Sequence, residues 1–176
     1  MLLIPNFNGS TTPKVELDSR GMLLGLSLSH ERKHVIRAFL EGISSEIRWL
    51  LDSIIATDVP IHEIRLVGGG AKNQYWNQIH ADIFKKSVKT LQITDSALVG
   101  AAMCASVAIG EYNDLNEAAI NFVHVKETID PNPRNFQVYD MVFENYIEVF
   151  DLFVKNRIYH RLKNQSILSH NKNAHL

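Results

Sequence analysis

Apolar residues recur at intervals of three and four between positions 35 and 54, which is the period of one face of an α-helix. The pattern predicts a helix from about His30 to Ala56, roughly 40 Å long at about 1.5 Å per residue. Ser29 is its predicted N-cap, because a serine hydroxyl can accept a hydrogen bond from the free N–H groups of the first turn. Pro60 follows and is expected to end the helix. One long amphipathic helix therefore dominates the first third of the chain.

The middle of the chain alternates between strand-like and helix-like patterns. A short apolar run at 64–67 ends in three glycines, and a helical pattern follows from about 73 to 84. A second strand is predicted at 88–93, and a helix of small, uncharged residues at 96–109, which we expect to be buried. This order of strand, helix, strand and helix predicts a pair of parallel strands in an α/β layer.

The other predicted elements are shorter or lie towards the end of the chain. Met22–Leu24 is a predicted short strand within a stretch rich in turn residues. Asp114 and Glu117 have the spacing of a capping box and predict a short helix. Aromatic residues at helical spacing over 139–153 predict a long helix with one side packed into a core. Residues 164–176 are polar and are expected to form a flexible tail.

Composition is that of an ordinary folded protein, since 45% of the 176 residues are hydrophobic and 21% are charged. The length predicts one domain. A formal charge of −1 lacks the basic excess that binding to nucleic acid requires. The longest uncharged apolar stretch, residues 97–110, is well short of the roughly 20 residues that span a bilayer. We therefore expect neither nucleic acid nor a membrane as a partner.

Few side chains have the spacing of a reactive site. The single cysteine, Cys104, cannot form an internal disulfide, which favours the cytoplasm. It lies in the small-residue helix and is predicted to be a small buried hydrophobe rather than a nucleophile. His30 and His34 would share a helix face, but they have no third ligand at metal-site spacing and are better explained as one capping or surface histidine and one ordinary helical histidine. The spacing therefore nominates no catalytic residue and no metal ligand.

The strongest chemical signal is the run VGGGAKN at residues 67–73, between a predicted strand and a predicted helix. Consecutive glycines let the backbone approach a ligand closely, and free N–H groups at the start of the next helix favour an anion. A nucleotide is one such ligand. The run matches neither the dinucleotide fingerprint nor the P-loop, and a tight turn with positive φ explains three glycines equally well. The pattern alone leaves both interpretations open.

Three separated segments together resemble the FGGY carbohydrate kinases, most of all the xylulokinases. Residues 20–26 (RGMLLGL) and then 34–42 (HVIRAFLEG) are similar to the second signature of that family. Residues 67–82 resemble its adenosine-binding loop and the helix that follows. Residues 95–102 (DSALVGAA) resemble its next, small-residue helix. The segments occur in the order of the family, and the resemblance covers about residues 3–155.

This resemblance implies an α/β fold, namely an incomplete actin-like (ribonuclease H-like) ATPase domain in which a mixed sheet fragment is flanked by long helices. Residues 1–163 would be the C-terminal part of the family's second domain. ATP is the implied nucleotide, and the backbone of Gly69 and Gly70 would approach its ribose and α-phosphate. Ala71 would line the turn, and Asn73 would hydrogen-bond the nucleoside.

Much of the kinase machinery has no counterpart in this sequence. The family's sugar-binding first domain, both phosphate loops and the aspartate that serves as general base are not matched by any residue here. The complete enzyme would need Mg²⁺, for which no ligand can be named in this chain. Phosphoryl transfer depends on positioning and charge neutralisation, so we expect the chain to be inactive alone, and its status as an enzyme stays open.

The implied function is transfer of the ATP γ-phosphate to the hydroxyl of a xylulose-like sugar, with this chain supplying the adenosine pocket. A separate N-terminal kinase half would then be its partner. The alternative is a non-catalytic interaction or regulatory module, or a relic of an interrupted kinase gene. Apolar faces left uncovered by missing strands favour self-association, so a homo-oligomer is also expected.

Overall fold

The computed structural model describes residues 1–173, with side chains described as far as residue 166. The helices are α1 (Arg32–Ile55), α2 (Gln74–Phe84), α3 (Ser96–Ala108), α4 (Leu115–Phe122), α5 (Phe136–Lys155) and α6 (Ile158–Asn173). The strands are β1 (Leu2–Ile4), β2 (Met22–Leu24), β3 (Ile64–Leu66), β4 (Val88–Leu91) and β5 (Val125–Ile129). These elements form two compact units: Met1–Val59 with the chain from Arg134 onward, and Pro60–Pro133.

In the first unit, a two-stranded sheet lies against α1. The predicted strand β2 is confirmed, and it pairs antiparallel with β1 so that Leu3 faces Leu23. Gly42 of α1 lies directly under β1, where a Cβ would come within 2.5 Å of the carbonyl oxygen of Leu3. Any larger residue at position 42 would therefore push the strand away from the helix.

Aromatic side chains of α5 and α6 form the core of this unit. Ile4, Tyr146, Phe150 and Tyr159 are each at most 1% exposed. Trp49 of α1 packs edge-on against Phe150, with ring centroids 5.2 Å apart. The predicted aromatic side of the last long helix is thereby confirmed, and its function is packing, because large buried aromatic side chains contribute strongly to a core.

The start of α1 differs from the prediction. Its N-cap is Glu31 and not Ser29, whose hydroxyl lies against that of Ser27. Nδ1 of His34 accepts a hydrogen bond from the backbone N–H of Glu31 at 2.9 Å, and the Glu31 side chain accepts one from the backbone of His34 in return. This is a capping box in which histidine replaces the usual glutamate or glutamine. The Ser29 prediction was wrong, whereas the predicted end of the helix near Ala56 is confirmed.

The second unit is built on a three-stranded sheet in the order β3-β4-β5. β3 and β4 are parallel, as the order of elements predicted. β5 was not predicted, and it pairs antiparallel with β4, which makes the sheet mixed. The register shifts between Thr90 and Leu91, because Thr90 faces Glu127 while Leu91 faces Val125. α2 lies against β4 and β5 and buries Ile79 and Ile83.

The small-residue helix α3 is where it was predicted, but it is not buried. Ser106 is its only residue among the buried class, and Leu98 is 66% exposed. Cys104 is exposed as well, so the prediction that it is a buried hydrophobe was wrong. The sequence shows that this helix is apolar, but it does not show whether other parts of the chain cover it.

No helix in the described part of the chain is both long enough and apolar enough to cross a membrane. The predicted flexible tail, residues 164–176, lies partly outside the described residues and stays a prediction.

Candidate functional site

The glycine run forms a tight turn at the end of β3. Gly68 has φ +79° and ψ −171°, a combination that is essentially restricted to glycine. Its N–H donates to the carbonyl oxygen of Thr94 at 2.6 Å, which ties the end of β3 to the chain that follows β4. A 3₁₀ turn then runs from Gly69 to Lys72. The positive φ of the tight-turn interpretation is thus present at Gly68, and it leaves the ligand interpretation open.

The glycines of this turn differ in the space beside them. Apart from the glycine itself and its two chain neighbours, no described residue has an atom within 4 Å of the position that a Cβ would take at Gly68 or at Gly69. At Gly70 the same position is 2.8 Å from Cζ3 of Trp76. The first N–H groups of a helical turn have no partner inside the turn. Gly69 therefore offers its backbone to an open approach, whereas the indole ring closes one side of Gly70.

Ala71 connects the turn to the next helix. It is buried, and its carbonyl oxygen accepts a hydrogen bond from Nδ2 of Asn77 at 2.9 Å. Asn77 is itself only 1% exposed. Sequence reasoning missed this asparagine, because a polar residue within an amphipathic helix gives no signal that it faces inward.

Asn73 is the N-cap of α2. Its Oδ1 accepts a hydrogen bond from the backbone N–H of Trp76 at 3.2 Å, while Nδ2 of an asparagine is a donor. Asn73 and Gly69 are exposed, Gly70 is half-buried and Ala71 is buried. The structure thus brings all four predicted residues into one turn, in which Lys72 is exposed.

An aromatic stack supports this turn from α2. The rings of Trp76 and His80 lie 5.0 Å apart, those of His80 and Phe84 lie 5.1 Å apart, and both pairs are stacked. His80 is 6% exposed, and burial lowers the pKa of its imidazole to about 4. The ring is therefore neutral at physiological pH and serves as an apolar surface behind Trp76.

The two histidines that were predicted to share a helix face, His30 and His34, lie at the start of α1. His30 and His34 face each other edge-on, with centroids 5.7 Å apart, and Nδ1 of His34 caps α1. Within the described residues, no three histidine, cysteine, aspartate or glutamate side chains are grouped so that they could hold a metal ion.

Comparison with known proteins identifies the family of this chain. Residues 1–109 match the sequence model of the FGGY family of carbohydrate kinases, C-terminal domain. The chain belongs to this family. Among its FGGY relatives, the xylulose kinase of Bacillus subtilis is 33% identical over 150 residues, and the ribulokinase of Halalkalibacterium halodurans is 32% identical over 178 residues. These alignments cover 85% and 97% of this chain but only 30% and 32% of the relatives, so the chain spans about a third of their length.

Solved structures of FGGY kinases share the fold. The xylulose kinase of Lactobacillus acidophilus superimposes with a TM-score of 0.75 at 25% identity, over 87% of this chain and 31% of that one. The xylulose kinase of Rhodospirillum rubrum gives 0.70 at 27% identity, over 90% of this chain and 31% of that one. The predicted α/β, actin-like architecture and the family predicted from three ordered segments are both confirmed.

Proposed function

We propose that this chain forms the nucleotide-binding part of an ATP-dependent sugar kinase. The proposal depends on Gly69, an exposed glycine in the turn that follows the parallel strand β3, with open space where a side chain would stand. A backbone of this kind can approach a nucleotide closely. Ligands of α/β proteins commonly bind outside the carboxyl ends of parallel strands, which is where this turn lies.

Each residue of the turn has a separate role in this proposal. The backbone of Gly69 contacts the ribose and α-phosphate of ATP, and Gly70 continues that surface on the side that Trp76 leaves open. Ala71 lines the turn from within and holds it to α2. Asn73 donates from Nδ2 to the nucleoside, because its Oδ1 already accepts from the backbone N–H of Trp76.

Phosphoryl transfer needs more than this turn. It depends on positioning of the phosphates and on neutralisation of their charge, and Mg²⁺ supplies part of that neutralisation when bound. The described residues include no cluster of ligands for such an ion, and no residue of the chain matches the family's general base. We therefore propose that this chain alone binds nucleotide without phosphorylating sugar, and that a separate N-terminal kinase half provides the remaining groups.

The acceptor that we propose is a pentulose. Relatives at 33% and 32% identity are named xylulose kinase and ribulokinase, and both names denote kinases of five-carbon ketoses. The proposed location is the cytoplasm, because a lone cysteine favours a reducing compartment.

One observation favours a second candidate function, a non-catalytic interaction module. α3 is apolar yet largely exposed, with Leu98 at 66% exposure. An exposed apolar surface of this kind is typical of a site where another protein docks. A module of this type would bind its partner through α3 and would restore no kinase activity.

Titration of two matched glycine variants with ATP tests the proposal. Gly69→Ala places a methyl group in the open approach, whereas Gly100→Ala places one on α3, where no described atom lies within 4 Å. We expect titration with ATP to show weaker binding for the first variant and unchanged binding for the second. Equal affinity in both would place the nucleotide elsewhere.

Activity is tested by adding the N-terminal portion of a xylulose kinase and measuring ADP release with xylulose and with ribulose. Turnover that requires both polypeptides supports a kinase half. Binding of the two polypeptides without turnover supports the interaction module.

A further inference from the structure

The second unit contains a polar cleft beside the glycine turn, between the start of α2 and the strands β4 and β5. Its volume is about 220 Å³, below the roughly 300–1,000 Å³ of clefts that hold drug-sized ligands. Eight polar side chains contribute to its wall: Lys72, Gln74, Asn77, Thr90, Gln92, Thr94, Lys126 and Glu127. The size of the cleft restricts any ligand to a small molecule.

Two buried oxygen atoms in this wall lack a protein partner. Neither Oδ1 of Asn77 nor Oγ1 of Thr90 has a hydrogen-bond partner among the described residues. Their residues are 1% and 4% exposed. Folded proteins pair nearly all buried polar atoms, so two unpaired oxygens in one cleft point to a partner from outside the chain.

The strand pairing is irregular at this same place. The register of β4 and β5 shifts at Thr90, because Glu127 faces Thr90 while Val125 faces Leu91. Lys126 is the extra residue, and it lines the cleft together with Glu127. Bulges of this kind redirect side chains and occur often beside functional sites.

The chemistry of the wall selects the class of ligand. Oδ1 of Asn77 needs a donor, whereas the Thr90 hydroxyl can use either a donor or an acceptor. The charged residues of the wall, Lys72, Lys126 and Glu127, are all exposed, whereas its buried part, at Asn77 and Thr90, is uncharged. None of the side chains that line the cleft is aromatic, so a flat base has no ring on which to stack. Hydroxyl groups of a neutral molecule fit all of these conditions.

We infer that this cleft binds a small neutral polyol or sugar, through Asn77 and Thr90. The site is separate in its residues from Gly69 and Asn73, so the inference does not rest on the proposed binding of ATP at the glycine turn. Ala71 is the link between the two places, since it lines the cleft and its carbonyl oxygen is held by Asn77.

Side-chain amide resonances provide the test. In ¹⁵N-labelled full-length chain, we expect the NH₂ signals of Asn77, Gln74 and Gln92 to shift and saturate when glycerol or xylitol is titrated. Adenosine and inorganic phosphate serve as comparison probes of a base and an anion. Shifts that grow linearly with polyol, or that arise only with adenosine or phosphate, would overturn the inference.

Thr90→Val is the decisive variant, because it replaces an unpaired hydroxyl with a methyl group of the same shape and leaves the fold intact. Polyol binding should weaken by about two- to tenfold, the equivalent of one hydrogen bond. Thr128→Val on β5 is the matched control, since Thr128 is exposed and does not line this cleft. Gln74→Ala at the exposed start of α2 gives a second variant with the same expectation. Unchanged affinity in both Thr90→Val and Gln74→Ala would show that the cleft holds only water.

Discussion

A Cβ added at Gly70 would lie 2.8 Å from Cζ3 of Trp76, closer than such atoms approach in folded proteins. The indole cannot simply move away, because it is stacked on the imidazole of His80, with ring centroids 5.0 Å apart. Gly70 is therefore required by packing, independently of any ligand.

Gly70→Ala should lower the free energy of unfolding by about 1–3 kcal/mol, the usual cost of overpacking. Gly69→Ala, with open space beside it, should change it by no more than about 0.5 kcal/mol. Urea unfolding measures both. The double variant Gly70→Ala with Trp76→Leu should recover part of the loss, because the clash is removed. Equal costs at Gly69 and Gly70 would contradict this account.

The buried imidazole of His80 should make the stability depend on pH. Burial lowers its pKa from 6.5 to about 4 in the folded chain. As the pH falls from 6.5 towards 4, the unfolded chain takes up a proton at His80 and the folded chain does not. The free energy of unfolding should therefore decrease across this window, by at most about 3 kcal/mol.

His80→Phe tests this dependence, because phenylalanine can still stack between Trp76 and Phe84 but takes up no proton. The variant should lose less stability than the original chain between pH 6.5 and 4.5 in parallel denaturation series. The same substitution at the exposed His62 controls for the loss of an imidazole as such. Identical pH profiles for His80→Phe and the original chain would exclude His80 as the source.

Substitutions at Asn73 can separate its capping from its proposed contact with the nucleoside. Asn73→Ala removes the cap of α2 and should cost about 1 kcal/mol of stability, whereas Asn73→Ser keeps a capping oxygen and should cost a few tenths. Both variants lose the Nδ2 donor, so both should bind ATP about two- to tenfold more weakly. Thermal unfolding and nucleotide titration report the two effects. If Asn73→Ser bound ATP as the original chain does, capping would be the whole role of Asn73.

Asp82 is a buried carboxylate that holds the end of the second unit. It is 2% exposed, and its Oδ1 accepts from the backbone N–H of Asn132 at 2.7 Å and from Nε2 of Gln78 at 2.8 Å. Asp82→Ala would remove both of these hydrogen bonds to a buried carboxylate and should cost about 2–3 kcal/mol. Ser87→Ala, which removes an exposed hydrogen bond to Asp130, should cost no more than about 0.5 kcal/mol. Similar midpoints of urea unfolding for the two variants would argue against this role.

Cys104 reports on the surface of α3. It is the single cysteine of the chain and is exposed, so a thiol reagent should label the folded chain completely. An N-terminal kinase half that covers α3 should slow the labelling. Slow labelling that speeds up on dilution would instead indicate that copies of the chain cover α3 for one another. Rapid labelling under all these conditions would show that neither partner covers this helix.

The parts of the fold that follow from local signals were predictable from the sequence. The end of β3, the positive φ at Gly68 and the capped start of α2 at Asn73 are neighbours in the chain, and their residue types specify them. β5 was missed because its side chains are mostly exposed and its pairing with β4 is long-range. No apolar alternation marks such a strand.

The local features of the candidate site were predictable as well, whereas those that depend on packing were not. The glycine run was recognised from its own residues, whereas the roles of Gly69 and Asn73 came from the resemblance to the FGGY kinases and stay predictions. The Trp76 ring beside Gly70 and the inward-facing Asn77 depend on how α2 is rotated about its axis. The packing of Ile79 and Ile83 against the sheet sets that rotation. The polar residues on the same side of α2 do not indicate in the sequence that they face inward.

One of the two compact units is continuous in sequence and the other is not, so they become complete at different stages of synthesis. Residues 60–133 are one continuous stretch, so all partners in that unit are available once Pro133 has left the ribosome. The other unit needs Ile4 to meet Phe150 and Tyr159, which lie far later in the sequence and are therefore translated much later. Until α5 and α6 have been synthesised, the apolar surface of β1 and α1 is uncovered. A nascent chain that has not yet reached α5 therefore exposes the largest apolar surface for chaperones to bind.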